Sequence, residues 1–293
     1  MSPFRRHQGL TSSTKRSRGL PWNPGPSDRF YRLILRTGQF LRWVFRIRVV
    51  TSGLENLPVP GPRKGTSRAA TPGSGAIIAI THFGYLDFAF AELEVWKHAR
   101  AQMRFMIHQG AADHWLAGPA IRGTGNVVVG FTSRTEAYDA AVAKLRAGEY
   151  LAVLPEAGVS RSFKVRECKT GAVRMAAEAG VPVIPVSVWG AHRLLTRGHG
   201  FSLRRAWRAP VRVQVGEAMR FPPDVDPEAA TAELRVRLQA GIDACIGDFP
   251  VPAEPGAWWV PADLGGGAPT ESERRRLDAE DAAKGRRRGP RSN

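Results

Sequence analysis

Two residues that could do chemistry stand five positions apart, His82 and Asp87, where the run Ile-Ala-Ile-Thr gives way to Phe-Gly-Tyr-Leu. Imidazole titrates near neutral pH and is the natural general base there. A carboxylate that accepts the second ring proton fixes the tautomer and stabilises the imidazolium. With such a pair a substrate hydroxyl can be the nucleophile, and no serine or cysteine of the protein is required. The same spacing also describes a capped helix start with Asp87 in its first turn, and the pair alone does not separate the two readings.

Two later stretches bear on that choice. The apolar run Tyr150–Leu154 is followed by Pro155-Glu156-Ala-Gly158-Val-Ser160-Arg161-Ser162, then by Phe163-Lys164 and Lys169-Thr170-Gly171. Beyond it lies Val181-Pro182-Val-Ile-Pro185-Val.

The elements that must hold these residues are short apolar runs suited to buried strands: Ala76–Ile80, Arg104–Ile107, Val127–Val129, Tyr150–Leu154, Val183–Val188 and Val211–Val215. Helical patterns over Phe88–Ala99, Thr135–Ala147, Gly171–Ala179 and Pro227–Cys245 alternate with several of them. Such alternation predicts an α/β fold with a largely parallel central sheet flanked by helices. Ligands of such sheets gather at the carboxyl ends of strands, and His82 and Glu156 both follow a strand there. Residues 1–27, rich in Arg, Ser, Pro and Gly, read as a disordered basic N-terminus, and 60–75 as a loop. One domain is expected over 28–250. Residues 251–293, with Trp258 and Trp259, a Gly-rich stretch and a charge-dense end, read as a tail outside the core.

The chain carries 43 Lys and Arg against 26 Asp and Glu, a formal charge of +17. That excess points to an anionic partner: nucleic acid, an acidic membrane surface or a phosphorylated substrate. Two cysteines, Cys168 and Cys245, are too few for a disulfide framework and lack metal-ligand spacing, which suits a reducing cytosol and argues against zinc. No apolar run is long enough to span a bilayer, and no uninterrupted apolar stretch follows the basic N-terminus as a secretory signal would require.

Residues 29–48 suit a helix. Placed on a wheel, Phe30, Leu33, Ile34, Phe40, Leu41, Val44 and Phe45 fall in a sector roughly 140° wide, opposite Arg29, Arg32, Arg36, Arg42 and Arg46. A bulky apolar face opposite arginines, with no acidic residue between, is the pattern of a helix lying in a membrane interface. Anionic headgroups would add about 1 kcal/mol per nearby Arg. A surface helix packed on the core shows the same stripe.

With these blocks in view, the chain resembles the 1-acylglycerol-3-phosphate O-acyltransferase family of glycerolipid acyltransferases. That family has four ordered blocks: His-x4-Asp, a Gly-containing strand ending near an Arg, a Phe-Pro-Glu-Gly-Thr-Arg-Ser block and a Val-Pro-x-x-Pro-Val block. All four can be located in order over residues 76–190, and the likeness extends more loosely over 30–250. The resemblance implies that His82 deprotonates a lysophospholipid hydroxyl, oriented by Asp87. The alkoxide then attacks the thioester of acyl-CoA or acyl carrier protein. These donors are co-substrates, and no further cofactor or metal is implied. Glu156 and Arg161 would help bind the glycerol phosphate, which a guanidinium suits through bidentate hydrogen bonds. Lys169 would add positive charge, and backbone amides near Gly158 are candidates to meet the developing oxyanion.

The chain departs from the family pattern in two blocks. In the third, Arg161 stands two places later than in the commonest form. In the second, Val129-Gly130-Phe131 replaces Val-Asp-Arg, so the nearest arginine is Arg134, and Ile107-His108-Gln109-Gly110 replaces a lysine-bearing stretch. These changes leave the acceptor's identity open.

Other residues carry two readings each. His108 and His114 line the site or lie at the surface. The basic stretch with Arg193, Arg197, Arg204, Arg205 and Arg208, flanked by His192 and His199, touches the donor's phosphates or the bilayer, or is a solvated loop. Trp258 and Trp259 dip into a membrane interface or pack over the core. The Arg-rich end lacks a nucleic-acid-binding motif, so no specific nucleic-acid partner is expected. The expectation is therefore an acyltransferase on the cytoplasmic face of the membrane that converts 1-acylglycerol-3-phosphate to phosphatidic acid. The alternatives are another lysolipid acceptor, or a non-catalytic basic adaptor on a degenerate acyltransferase fold.

Overall fold

The apolar runs become strands of one sheet. The computed structural model describes residues 28–57, 73–108, 123–124, 126–129 and 134–287. Its strands are β1 (Arg48–Ser52), β2 (Ala76–Ile80), β3 (Met103–His108), β4 (Val127–Val129), β5 (Tyr150–Val153), β6 (Val183–Trp189) and β7 (Pro210–Val215). The helices are α1 (Asp28–Val44), α2 (Asp87–Ala99), α3 (Arg134–Arg146), α4 (Gly171–Ala179), α5 (Leu203–Ala206), α6 (Pro227–Gly247) and α7 (Glu271–Arg287). The seven strands lie in the order β1-β7-β6-β2-β5-β3-β4. All neighbours are parallel except β6 and β7, so β7 and β1 run against the other five. This is the expected α/β architecture.

The central strands are apolar throughout because helices cover both faces. Every residue of β2 and β6 is buried. On one face Ile77 and Ala79 pack with apolar residues of α3, α4 and α6. On the other, Ala76, Ile78 and Ile80 pack with α2 and with Val211, Val213 and Val215 of β7. Truncating one of these, Ile78→Ala for example, would cost about 2–5 kcal/mol. The Val-Pro-x-x-Pro-Val block opens β6, and Pro182 accepts a hydrogen bond from Ile77 N–H at 2.9 Å. Its place is thus structural: it sets the strand beside the one that carries His82.

Two expectations are corrected. The helix of 29–48 ends at Val44, Arg46 turns the chain with a φ of 53°, and Arg48 opens an edge strand that pairs with β7. The edge strand escaped sequence reading because its five residues, Arg-Val-Val-Thr-Ser, continue the arginine-striped pattern before them. The segment from 251 is also no tail. Val260 and Ala268 are buried, Trp258 and Trp259 pack against the core, and α7 lies on the loop after β5. Of the two readings of the tryptophans, packing over the core is the one observed. Residues 1–27, His114, Gly130, Phe131 and most of 60–75 lie outside the described residues.

The buried stripe of α1 differs from its apolar one. Tyr31 and Leu35 are buried against Leu93 and Trp96 of α2. One turn on, Gly38 faces Leu93, and Arg42 pairs with Glu94 at 2.6 Å. Leu33, Phe40, Leu41 and Trp43 remain exposed, Trp43 by 73 %. Among the described residues no helix is long and apolar enough to cross a membrane.

Candidate active site

His82 follows β2 at the carboxyl edge of the sheet, and its backbone is clamped from both sides. Its N–H donates to Glu156 Oε1 at 2.7 Å, and its carbonyl accepts from Ser160 N–H at 2.8 Å. Thr81, one residue earlier, is buried and joins β6 through Val186 and Val188. The next turn is tied by Asp87, the first residue of α2. Its Oδ2 accepts from Phe83 N–H at 2.6 Å and Gly84 N–H at 2.7 Å. Gly84 must be a glycine, because a Cβ there would lie 2.7 Å from the Cα of His192. That contact presses the His82 loop onto residues 192–196, where Thr196 Oγ1 donates to the Phe83 carbonyl.

The expected bond between His82 and Asp87 is not made. Nδ1 of His82 and Oδ1 of Asp87, the atoms it would join, are both buried and both without a partner. Burial lowers the imidazole to about 4, with the Gly84 backbone opposing and the Arg166 charge adding to the effect. His82 is therefore neutral at pH 7, as a base must be. Burial also holds the Asp87 carboxyl well above its usual range, against the pull of its two backbone donors. Asp87 thus ties the turn between His82 and α2, with one oxygen to spare, while the N-cap of α2 is Leu86 and has no side-chain bond.

Glu156 follows β5, the neighbour of β2. It is almost fully buried, and both its oxygens are spent on backbone: Oε1 on His82 and Oε2 on Arg166 N–H at 2.9 Å. Burial lifts it to about 7, opposed by those two donors and by the charges of Arg166 and Arg274. Its geometry is that of a brace joining two loops, which differs from the phosphate contact the resemblance implied.

Arg166 is the cation near His82 that sequence reading missed. Its guanidinium lies against Gly158, where a Cβ would come within 2.7 Å of Nη1. Gly158 thus makes room for the cation whose charge reaches His82. Only its place four residues after Ser162, just past Phe163-Lys164, could have signalled it. Arg161 lies on the same loop, one residue from the clamp on His82. Lys169 closes that loop with an exposed side chain. Arg134 opens α3, and its side chain lies outside the described residues, as does that of His108. His192 is no surface histidine. It is fully buried between Phe163 and Trp189, each 4.4 Å away, and is lowered by burial to about 3.

The site thus holds a neutral imidazole at the carboxyl edge of a mostly parallel α/β sheet, next to a loop carrying two guanidiniums. The family model described as Acyltransferase matches residues 48–189, from the first residue of β1 to the last of β6, so this part of the chain is an acyltransferase domain. Its fold is similar to the crystal structure of the 1-acyl-sn-glycerophosphate (LPA) acyltransferase PlsC from Thermotoga maritima. The TM-score is 0.54 at 21% identity, over 75% of this chain and 83% of that one. No curated protein matches the chain.

Proposed function

We propose that this acyltransferase moves a fatty acyl group from acyl-CoA or acyl carrier protein to the hydroxyl of a lysophospholipid, with 1-acylglycerol-3-phosphate as acceptor and phosphatidic acid as product. The observation that carries the reading is the neutral His82, backbone-clamped between Glu156 and Ser160 beside Arg161 and Arg166. His82 takes the hydroxyl proton as the oxygen attacks the thioester carbonyl. The C–S bond then breaks, and the imidazolium returns the proton to the leaving sulfur. The open Oδ1 of Asp87 is the carboxylate oxygen left to stabilise the imidazolium.

Two surfaces support the substrates. A groove of about 540 Å³ lined by Arg193, Arg204, Arg205 and Arg208, with no carboxylate in its lining, lies where β6 ends and β7 begins. It suits the phosphates of an acyl donor. The exposed apolar stripe of α1 suits the surface of an anionic membrane, with the protein peripheral on its cytoplasmic face. The readings of a different acceptor or a non-catalytic adaptor are kept alive by one contact: Arg161 already pairs with Asp281. The test is His82→Ala against the native chain, with acyl-CoA and lysophosphatidic acid. Loss of turnover is expected, and undiminished turnover would overturn the mechanism. A panel of lysolipids with both donors identifies the acceptor.

A further inference from the structure

We propose that Asp281 is a resident competitor for the acceptor's phosphate, and so determines how strongly the site favours phosphate-bearing over phosphate-free acceptors. The proposal rests on the lysolipid reading above. Oδ2 of Asp281 takes Arg161 Nη2 at 2.5 Å and Arg197 Nη2 at 2.6 Å. One carboxylate oxygen thus stands between two guanidiniums, at a cleft of about 280 Å³ that both arginines line with Phe163, His199 and Trp258. It is an incomplete occupant. Nε of Arg161 is buried without a partner, and so is Nε of Arg166 on the same loop. A phosphomonoester brings three acceptor oxygens and a charge near −2, so each guanidinium could take an oxygen of its own.

The element that carries Asp281 is held by charge. Arg274 is the one buried residue among those of α7 whose side chains are described, and it pairs with Glu271 and Asp278 of its own helix and with Glu167. Further ties of α7 to the loop after β5 are polar as well, Asp278 to Arg166, Glu271 to Ser162 and Arg275 to Glu167, whereas the apolar contact of the C-terminal segment with that loop, Trp258 on Phe163, lies before the helix. Such contacts are screened by salt and yield to a competing anion, whereas an apolar seam would not. His82 keeps part of its surface open, and its carbonyl is held by Ser160, the residue before Arg161. Asp281 therefore acts on acceptor affinity and leaves proton transfer alone. A phosphate-free acceptor has no use for the two arginines and need not displace it.

The test has two arms on the full chain. In Asp281→Asn, KM for lysophosphatidic acid should fall about threefold to tenfold, the scale of two partly exposed ion pairs, with kcat within twofold. KM for monoacylglycerol should not move. An equal fall for both acceptors would overturn the proposal, since it would report a general loosening. In the native chain, glycerol 3-phosphate should speed amide hydrogen exchange across α7 well beyond sodium chloride of matched ionic strength, and glycerol should not speed it. Unchanged exchange with glycerol 3-phosphate would overturn it. If neither acceptor is acylated, the acyltransfer reading fails, and the exchange arm still decides the role of Asp281.

Discussion

The carboxylate of Glu156 holds the backbone N–H of His82 at 2.7 Å, so the end of β5 positions the base at the end of β2. Both oxygens of Glu156 accept from backbone, and its other partner is Arg166, the cation that reaches His82. Glu156→Gln turns one acceptor into a donor facing an N–H. The variant should lose about 1–3 kcal/mol of stability, read as a lower urea midpoint. Turnover should fall with kcat and leave KM little changed. A fall in acceptor affinity alone would instead make Glu156 a substrate contact.

Asp87→Asn separates anchoring from electrostatics. An amide oxygen in the place of Oδ2 can still accept from Phe83 and Gly84, so the loop should keep its shape. The other position becomes a donor, which cannot stabilise an imidazolium at Nδ1. Turnover should drop on the order of a hundredfold with thermal stability nearly unchanged. Native turnover in this variant would confine Asp87 to tying the loop.

Because His82 is lowered to about 4, it stays neutral throughout the neutral range. The acid limb of kcat/KM should therefore lie near pH 4, and the profile should be flat from about pH 6 to 8. A limb near 6.5 would mean an imidazole that is free in solvent.

Acid stability follows from the buried histidines. Imidazoles that titrate near 6.5 in the unfolded chain titrate at about 4 for His82 and about 3 for His192 when folded. Between those values the unfolded state binds more protons, so their contribution is complete above 6.5 and is lost as pH falls toward 3. Glu156, raised to about 7, works in the opposite sense: the folded state gains as pH falls from 7 toward 4.5. His192→Gln isolates the histidine part, and its Tm should fall less between pH 6.5 and 4 than that of the native chain. Parallel Tm curves would mean that His192 does not contribute.

The stripe that α1 buries and the stripe it exposes are different, which makes the exposed one testable without unfolding the helix. Phe40→Glu with Trp43→Glu alters residues that touch each other at 5.9 Å between ring centroids and lie away from α2. Flotation with anionic liposomes should fall at least tenfold while Tm moves little. Undiminished flotation would remove α1 from membrane binding.

The sheet was legible in the sequence because its central strands are uniformly apolar and are bounded by glycine, proline and helical periodicity. All six expected strands are present within a residue or so, and only edge strand β1 was hidden, since an edge strand need not be apolar. The places of His82, Asp87 and Glu156 followed from strand ends. Their partners did not. The link from Glu156 to His82 crosses between strands, and the pairing of Arg161 with Asp281 joins residues 120 apart. A wheel showed that α1 is amphipathic but could not tell which stripe meets the protein, because Tyr31, Gly38 and Arg42 form a contact face without an apolar pattern. The polar residues of α7 read as solvated because their partners are side chains of a distant loop.

The reversal of direction at β7 has a consequence for where an acceptor would react. Since β1 runs with β7 and against β2, its first residue lies at the edge where β2 ends, and α1 delivers the chain to that edge. The exposed Phe40, Leu41 and Trp43 at the end of α1 and the base His82 therefore share one rim of the molecule. On the proposed reading, a lysolipid could offer its hydroxyl at headgroup height while its acyl chain stays in hydrocarbon. Extracting that chain would cost about 0.8 kcal/mol for every methylene exposed. The reversed direction of β7 and β1 would thus spare the reaction an energy on the order of 10 kcal/mol for a long chain, before any catalytic group is involved.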